Sequence, residues 1–192
     1  MRLFAAIELG QPLIASLDDQ TRRLRTTLER DCPGLPIRWI PAANLHITLV
    51  FLGEVRDEGQ AAIRRALAEP LEITPFDLTV SGFGVFPPGG ALRGIWVGFG
   101  DGTSRAAAVH DAVVQRLRPA GFEPEARGFT PHVTIARVRE VRGSGARCAR
   151  DVMRRTEAVP GTARVDGVTL FRSHLSPRGS TYEPLMRVPL QG

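Results

Sequence analysis

The chain has 192 residues, 43% of them apolar and 23% charged, enough to bury a core as one domain or two small lobes. All 25 basic residues are arginine and the formal net charge is +5; without lysine, nucleotidyl transfer through a lysine adduct and a phosphate loop of the usual lysine-bearing kind are both excluded. The positive balance favours polyanionic partners, while Cys32 and Cys148, far apart and without a metal motif, read as free thiols of a reducing compartment.

Leu3 to Glu8 predicts a first strand, too short and too soon interrupted by Glu8 to be a secretory signal. Pro12 suits the first turn of a helix running to about Arg30, with Leu13, Leu17, Leu24 and Leu28 on one face, and Cys32-Pro33-Gly34 stops it. Ile37 to Ile40 is a short strand whose Trp39 is either a core aromatic or part of a cleft wall. Next comes Asn44-Leu45-His46-Ile47-Thr48-Leu49-Val50-Phe51-Leu52-Gly53, a β-branched and aromatic run ended by glycine. In a strand, His46 and Thr48 project one way while Ile47 and Leu49 project the other.

A second helix spans about Asp57 to Ala68 with Ile63 and Leu67 inward. Phe76 to Phe86 and Arg93 to Phe99 are two strands joined through Pro87-Pro88-Gly89-Gly90, a connection that suits antiparallel pairing. A third helix from about Thr103 to Leu117 carries Ala106, Val109, Val113 and Leu117 at helical spacing; His110 lies beside that stripe, at the surface. Thr130-Pro131-His132-Val133-Thr134-Ile135-Ala136-Arg137 then repeats the first motif, with His132 and Thr134 sharing a face. A short helix over about Ala146 to Thr156 and two strands, Arg164 to Ser173 and Tyr182 to Val188, complete the chain, with His174 at the lip of the turn Ser176-Pro177-Arg178-Gly179-Ser180. No stretch approaches the roughly 20 apolar residues of a membrane span, so a cytoplasmic protein is expected.

Polar residues on an apolar strand call for a reason, because burying them unpaired costs on the order of 1 to 3 kcal/mol each. A single His-x-Thr is explained by a hydrogen bond between neighbours at a half-buried position; two matched copies, 86 residues apart, ask for more. On these two motifs the sequence resembles the 2H phosphoesterases, and within them the RNA 2′,3′-cyclic phosphodiesterases, or 2′-5′ RNA ligases. Arg2 to Ile7, Arg38-Trp39 and Leu170-Phe171-Arg172-Ser173 extend the likeness over most of the chain.

The resemblance implies an α+β fold over residues 1–192: a single bilobal domain of two pseudo-symmetric lobes of antiparallel sheet with flanking helices, one motif strand from each lining a central cleft. It also implies the reaction, hydrolysis of a terminal RNA 2′,3′-cyclic phosphate to a 2′-phosphomonoester, with His46 as proton donor and His132 as acceptor. Nothing in the spacing fixes those two roles. Two imidazoles near neutral pH can hold opposite protonation states, and in-line displacement at phosphorus needs one on each side. Thr48 and Thr134 would hold the non-bridging oxygens. Arg137 matches the position of a family arginine, although its odd offset from His132 points it to the other face unless a bulge intervenes.

No metal or cofactor is expected. The expected partners are RNA ends bearing a cyclic phosphate, tRNA fragments among them, with no membrane, and the chain is expected to act as a monomer. Reverse joining of such an end to a 5′-hydroxyl follows from microscopic reversibility. The competing readings are a metal-dependent hydrolase, for which no Asp, Glu or Cys stands at ligand spacing; a non-catalytic RNA-binding module, for which Trp39, Phe51, Phe129 and Tyr182 show no interleaving with a basic run; and a 2H enzyme acting on small nucleoside cyclic phosphates or 2′-5′ oligonucleotides.

Overall fold

Strand β1 (Arg2–Glu8) sets the plan of the molecule, because every residue from Leu3 to Ile7 is buried. A strand buried on both faces must lie inside a sheet that is covered on both sides. Leu3, Ala5 and Ile7 join the main core, whereas Phe4 and Ala6 join a smaller cluster with Phe171 and Tyr182. The computed structural model describes residues 1–122, 128–177 and 179–192; Arg178 of the predicted turn lies outside them. The remaining elements are α1 (Gln11–Asp31), β2 (Ile37–Trp39), β3 (His46–Glu54), α2 (Asp57–Ala66), β4 (Phe76–Phe86), β5 (Leu92–Phe99), α3 (Thr103–Leu117), β6 (His132–Val141), α4 (Gly143–Arg155), β7 (Thr162–Val165), β8 (Gly167–Ser176) and β9 (Gly179–Pro189).

The strands run in the order β7-β4-β5-β6-β3-β1-β8-β9, with β2 attached beside β6, and the pairs between named strands are antiparallel. This order is a palindrome of two four-stranded lobes that abut through the motif strands β6 and β3. The fold is thus α+β, with two matching lobes of antiparallel sheet. The apolar stripes expected of α1 (Leu13, Leu17, Leu24, Leu28) and α3 (Ala106, Val109, Val113, Leu117) are buried in the same core as Ile47, Val133 and Ile135. The helices therefore back the sheet, leaving the opposite face, which carries Phe4 and the motif histidines, to form a cleft.

The lobes are not the two halves of the chain, because β8 and β9 return to pair with β1 and complete the lobe of the first motif; with that, two sequence expectations change. The strand expected over Arg164 to Ser173 is accordingly two: β7 pairs with β4 in one lobe and β8 with β1 in the other, the chain crossing at Asp166. Cys32 and Cys148 are not free but bonded to each other, with Cα atoms 5.9 Å apart, tying the end of α1 to α4. A separation of 116 residues hid that pairing, since only the packing of α1 on α4 brings the two sulfurs together. Trp39 packs against the main core, so of its two readings the core aromatic stands.

Candidate active-site cleft

Among the described residues, β3 and β6 pair at a single ladder position, Ile47 opposite Val133, both fully buried. In antiparallel register this sets His46 across from Thr134 and Thr48 across from His132, all on the other face, with the two imidazoles diagonal to each other. The strands then diverge. β2 takes over the edge of β6, pairing Trp39 with Ala136, Arg38 with Arg137 and Ile37 with Val138, and Ile40 N–H donates to Ile135 O at 2.9 Å. A short strand thus wedges the lobes apart and opens a groove where a continuous sheet would have closed.

Both motif strands carry a bulge just beyond the Thr. Opposite β5, the register steps from Trp96–Thr134 to Ile95–Ala136, leaving Ile135 as the extra residue; opposite β1, it steps from Ala6–Thr48 to Ala5–Val50, leaving Leu49. An inserted residue reverses the alternation. Two consecutive residues, Ile135-Ala136 and Leu49-Val50, are therefore buried, and the next ones, Arg137 and Phe51, turn to the face of the histidines. The bulge that Arg137 required is present, and the matching position in the other lobe holds an aromatic, 63% exposed.

All five expected residues, His46, Thr48, His132, Thr134 and Arg137, line one cavity of about 240 Å³. Arg2, Phe4, Arg38, Asn44, Phe51 and Tyr182 are among the other residues of its wall, and no described carboxylate or thiol is. Nor do three His, Cys, Asp or Glu come together in a metal-binding cluster among the described residues.

Each imidazole is held in the same way. His46 Nδ1 lies 2.7 Å from Asn44 O and His132 Nδ1 lies 2.8 Å from Thr130 O. A carbonyl oxygen only accepts, so Nδ1 carries the hydrogen in both rings, and in the neutral form Nε2 is the basic nitrogen. His46 Nε2 is 2.9 Å from Thr48 Oγ1, which donates to it while the ring is neutral. Asn44 also donates from Nδ2 to Ser180 O at 2.7 Å, fastening the turn before β3 to the β8–β9 hairpin. Aromatic rings flank both histidines: Phe4 and Tyr182 lie 5.0 and 5.2 Å from His46, and Phe86 and Trp96 lie 5.0 and 6.2 Å from His132.

Burial pushes His46 below the ordinary imidazole value; its bond to Asn44 O acts the other way, and the charges of Arg137 and His132 lower it further. Of the other two histidines, His174 is not on the wall of the cleft, whereas His110 lines a neighbouring pocket that it shares with His132, Thr48 and Thr134. His174 Nε2 is 2.8 Å from Glu183 and the side chain is 44% exposed. His110, expected at the surface, is only 15% exposed because Phe129 stacks flat on it at 4.5 Å. Helix periodicity could not show that cover, which comes from the loop ahead of β6.

Sequence reasoning missed the roles of Arg2, Arg38 and Phe51 in the wall. For Phe51, the repeat of motif and offset between the lobes was the available signal. For Arg38 the likeness of Arg38-Trp39 to the family gave a pointer but no place, because its position depends on a pairing with Arg137 nearly a hundred residues away.

A sequence model described as "2'-5' RNA ligase superfamily" matches residues 15–177. A protein of Aeropyrum pernix named RNA 2′,3′-cyclic phosphodiesterase is 32% identical over 86% of this chain and 92% of its own length. One of the same name from Archaeoglobus fulgidus is 30% identical over 96% and 98%. Among solved structures, TT0787 of Thermus thermophilus superposes with a TM-score of 0.74 at 26% identity, covering 100% of this chain and 99% of that one.

Proposed function

The chain belongs to the 2′-5′ RNA ligase superfamily as one of its phosphoesterase enzymes, and on that footing we propose that it opens terminal 2′,3′-cyclic phosphates of RNA without a metal, using His132 and His46 as base and acid. The observation that carries this reading is the shared pose of the two imidazoles, each with Nδ1–H pinned to a backbone carbonyl and each on the wall of one cleft. His132 Nε2 takes a proton from water as the water oxygen bonds to phosphorus. The bond from phosphorus to the ribose 3′-oxygen breaks, and His46 Nε2–H gives that oxygen its proton. The products are a 2′-phosphomonoester and a 3′-hydroxyl, with the two rings left in exchanged protonation states that solvent restores.

Thr48, Thr134 and Arg137 stabilise the charge that gathers on the non-bridging oxygens. The low proton affinity of His46 in the free protein runs against its donor role. Burial depresses it most and the charge of Arg137 adds to that; a phosphodiester anion beside Arg137 offsets the second of these, so the donor is charged in the complex more readily than in the empty cleft. Thr48 then gives up its bond to His46 and turns to a phosphate oxygen. With a 5′-hydroxyl in place of water as the attacking group, the same steps join the cyclic-phosphate end to it through a 2′-5′ phosphodiester and free the 3′-hydroxyl, slowly and reversibly. We read the chain as a monomer acting on cytoplasmic RNA ends, tRNA fragments included; in such a compartment the Cys32–Cys148 bond would depend on redox conditions.

The test is cleavage of an RNA ending in a cyclic phosphate. His46→Ala and His132→Ala should each lower turnover by about a hundred-fold or more with an unchanged circular dichroism spectrum, and EDTA should leave the rate of the unaltered protein as it was. Near-normal rates for either variant, or a loss that zinc or manganese restores, would defeat the assignment; retention of the RNA uncut would mark a binding module.

A further inference from the structure

Arg38 and Arg137 stand directly opposite each other in the β2–β6 ladder, and both line the cleft. Like charges facing across a sheet repel, so this point is a focus of positive potential that a bound anion relieves. A second, shallower groove leaves the cleft here. It is lined by Pro36, Ile37, Arg38, Arg137, Val138 and Arg139, sharing both cleft arginines. Arg139 follows Arg137 by two residues, both exposed with a buried Val138 between them, so the two guanidiniums leave the same face of β6. None of the three stands in an ion pair among the described residues. The carboxylate next along the strand, Glu140, is engaged by Arg142 and Arg93.

One cyclic phosphodiester brings a single negative charge into the cleft, which Arg137 meets. Arg38 and Arg139 continue the line of cations outward, and the other residues of the groove, Pro36, Ile37 and Val138, offer no aromatic face for a base. We propose that this groove carries the sugar–phosphate backbone of the RNA strand behind its terminal cyclic phosphate, with the preceding phosphates on Arg38 and Arg139. The inference rests on the reaction proposed above and adds the substrate's character: a polynucleotide end, gripped by charge and without base readout, is preferred to a lone nucleoside cyclic phosphate.

The experiment compares kcat/KM on a trinucleotide ending in a 2′,3′-cyclic phosphate with that on a nucleoside 2′,3′-cyclic phosphate over a range of salt. The trinucleotide should be favoured by about tenfold or more at low salt, with the advantage fading as salt rises, by a logarithmic slope of roughly 0.7 for each phosphate contact on a single strand. Arg139→Gln, at an exposed position outside the cleft, should cost the trinucleotide about fivefold more than the nucleoside substrate and remove about 0.7 from that slope; Arg38→Gln should do the same. Equal kcat/KM for the two substrates in the unaltered protein, or an Arg139→Gln loss that is the same on both, would overturn the proposal. If the unaltered protein opens neither substrate, the reaction reading fails by itself. The groove is then judged from fluorescence anisotropy of a labelled trinucleotide 2′-phosphate: tighter binding to the unaltered protein than to Arg139→Gln keeps it, and equal binding ends it.

Discussion

At the scale of the residue, His46 answers to its surroundings more than to its own chemistry. Burial and the neighbouring charges of Arg137 and His132 hold it below the ordinary value of 6.5, so its ring proton should titrate below that value in an NMR titration and move upward in Arg137→Gln. The sign for stability follows. The unfolded chain takes up this proton near 6.5 while the folded chain lags behind, so folding stability is kept above that pH and declines as pH falls through it. Thermal melts on either side should show that decline, and His46→Gln should lessen it; an unchanged decline would assign it to other groups. That His46 and Thr48 share a face, like His132 and Thr134, was legible in the sequence, because alternation along a strand is a local property. The orientation of Arg137 was not, since no residue of the bulge at Ile135 announces itself. Arg38 was further out of reach, its place being fixed by a partner strand distant in the chain.

At the scale of the element, β4 and β5 supply the wall behind His132, and two glycines make it possible. Trp96 lies over Gly84 and Gly98; a Cβ at Gly98 would come within 2.6 Å of its ring, and one at Gly84 closer still. Phe86 continues the wall, 5.6 Å from Trp96 and 5.0 Å from His132. Gly84→Ala should therefore cost about 1–3 kcal/mol of stability, as overpacking does, and push the indole toward His132. The expected readout is a lower melting temperature together with a fall in kcat, whereas a melting change without a kinetic one would show that Trp96 yields away from the cleft. Most element boundaries could be foreseen from apolar periodicity and from Pro and Gly; α3, for one, spans Thr103–Leu117 as expected. The break between β7 and β8 could not, because Ala163, Val165, Val168 and Leu170 are all buried and the run reads as one strand until its two halves are seen to serve different lobes.

At the scale of the whole molecule, the Cys32–Cys148 bond closes a loop of 116 residues that contains β2 to β6, both motif strands among them. Linking such a loop restricts the unfolded chain, and bonds of this kind typically contribute about 2–4 kcal/mol. A reducing agent, or the variant Cys32→Ser with Cys148→Ser, should lower the melting temperature accordingly; unchanged melting would mean that α1 and α4 hold together through their apolar faces alone. The crossing at Asp166 reaches further. The lobe that bears His46 is begun by the first eight residues and finished by the last strands, so as the chain leaves the ribosome β1 and β3 must wait, half clothed, until β8 and β9 emerge. A polypeptide stopped before Asp166 would possess both histidine motifs and yet leave Phe4 without Phe171 and Tyr182 against it. Such a fragment should be insoluble or molten, because the cleft is complete only once β8 and β9 have been made.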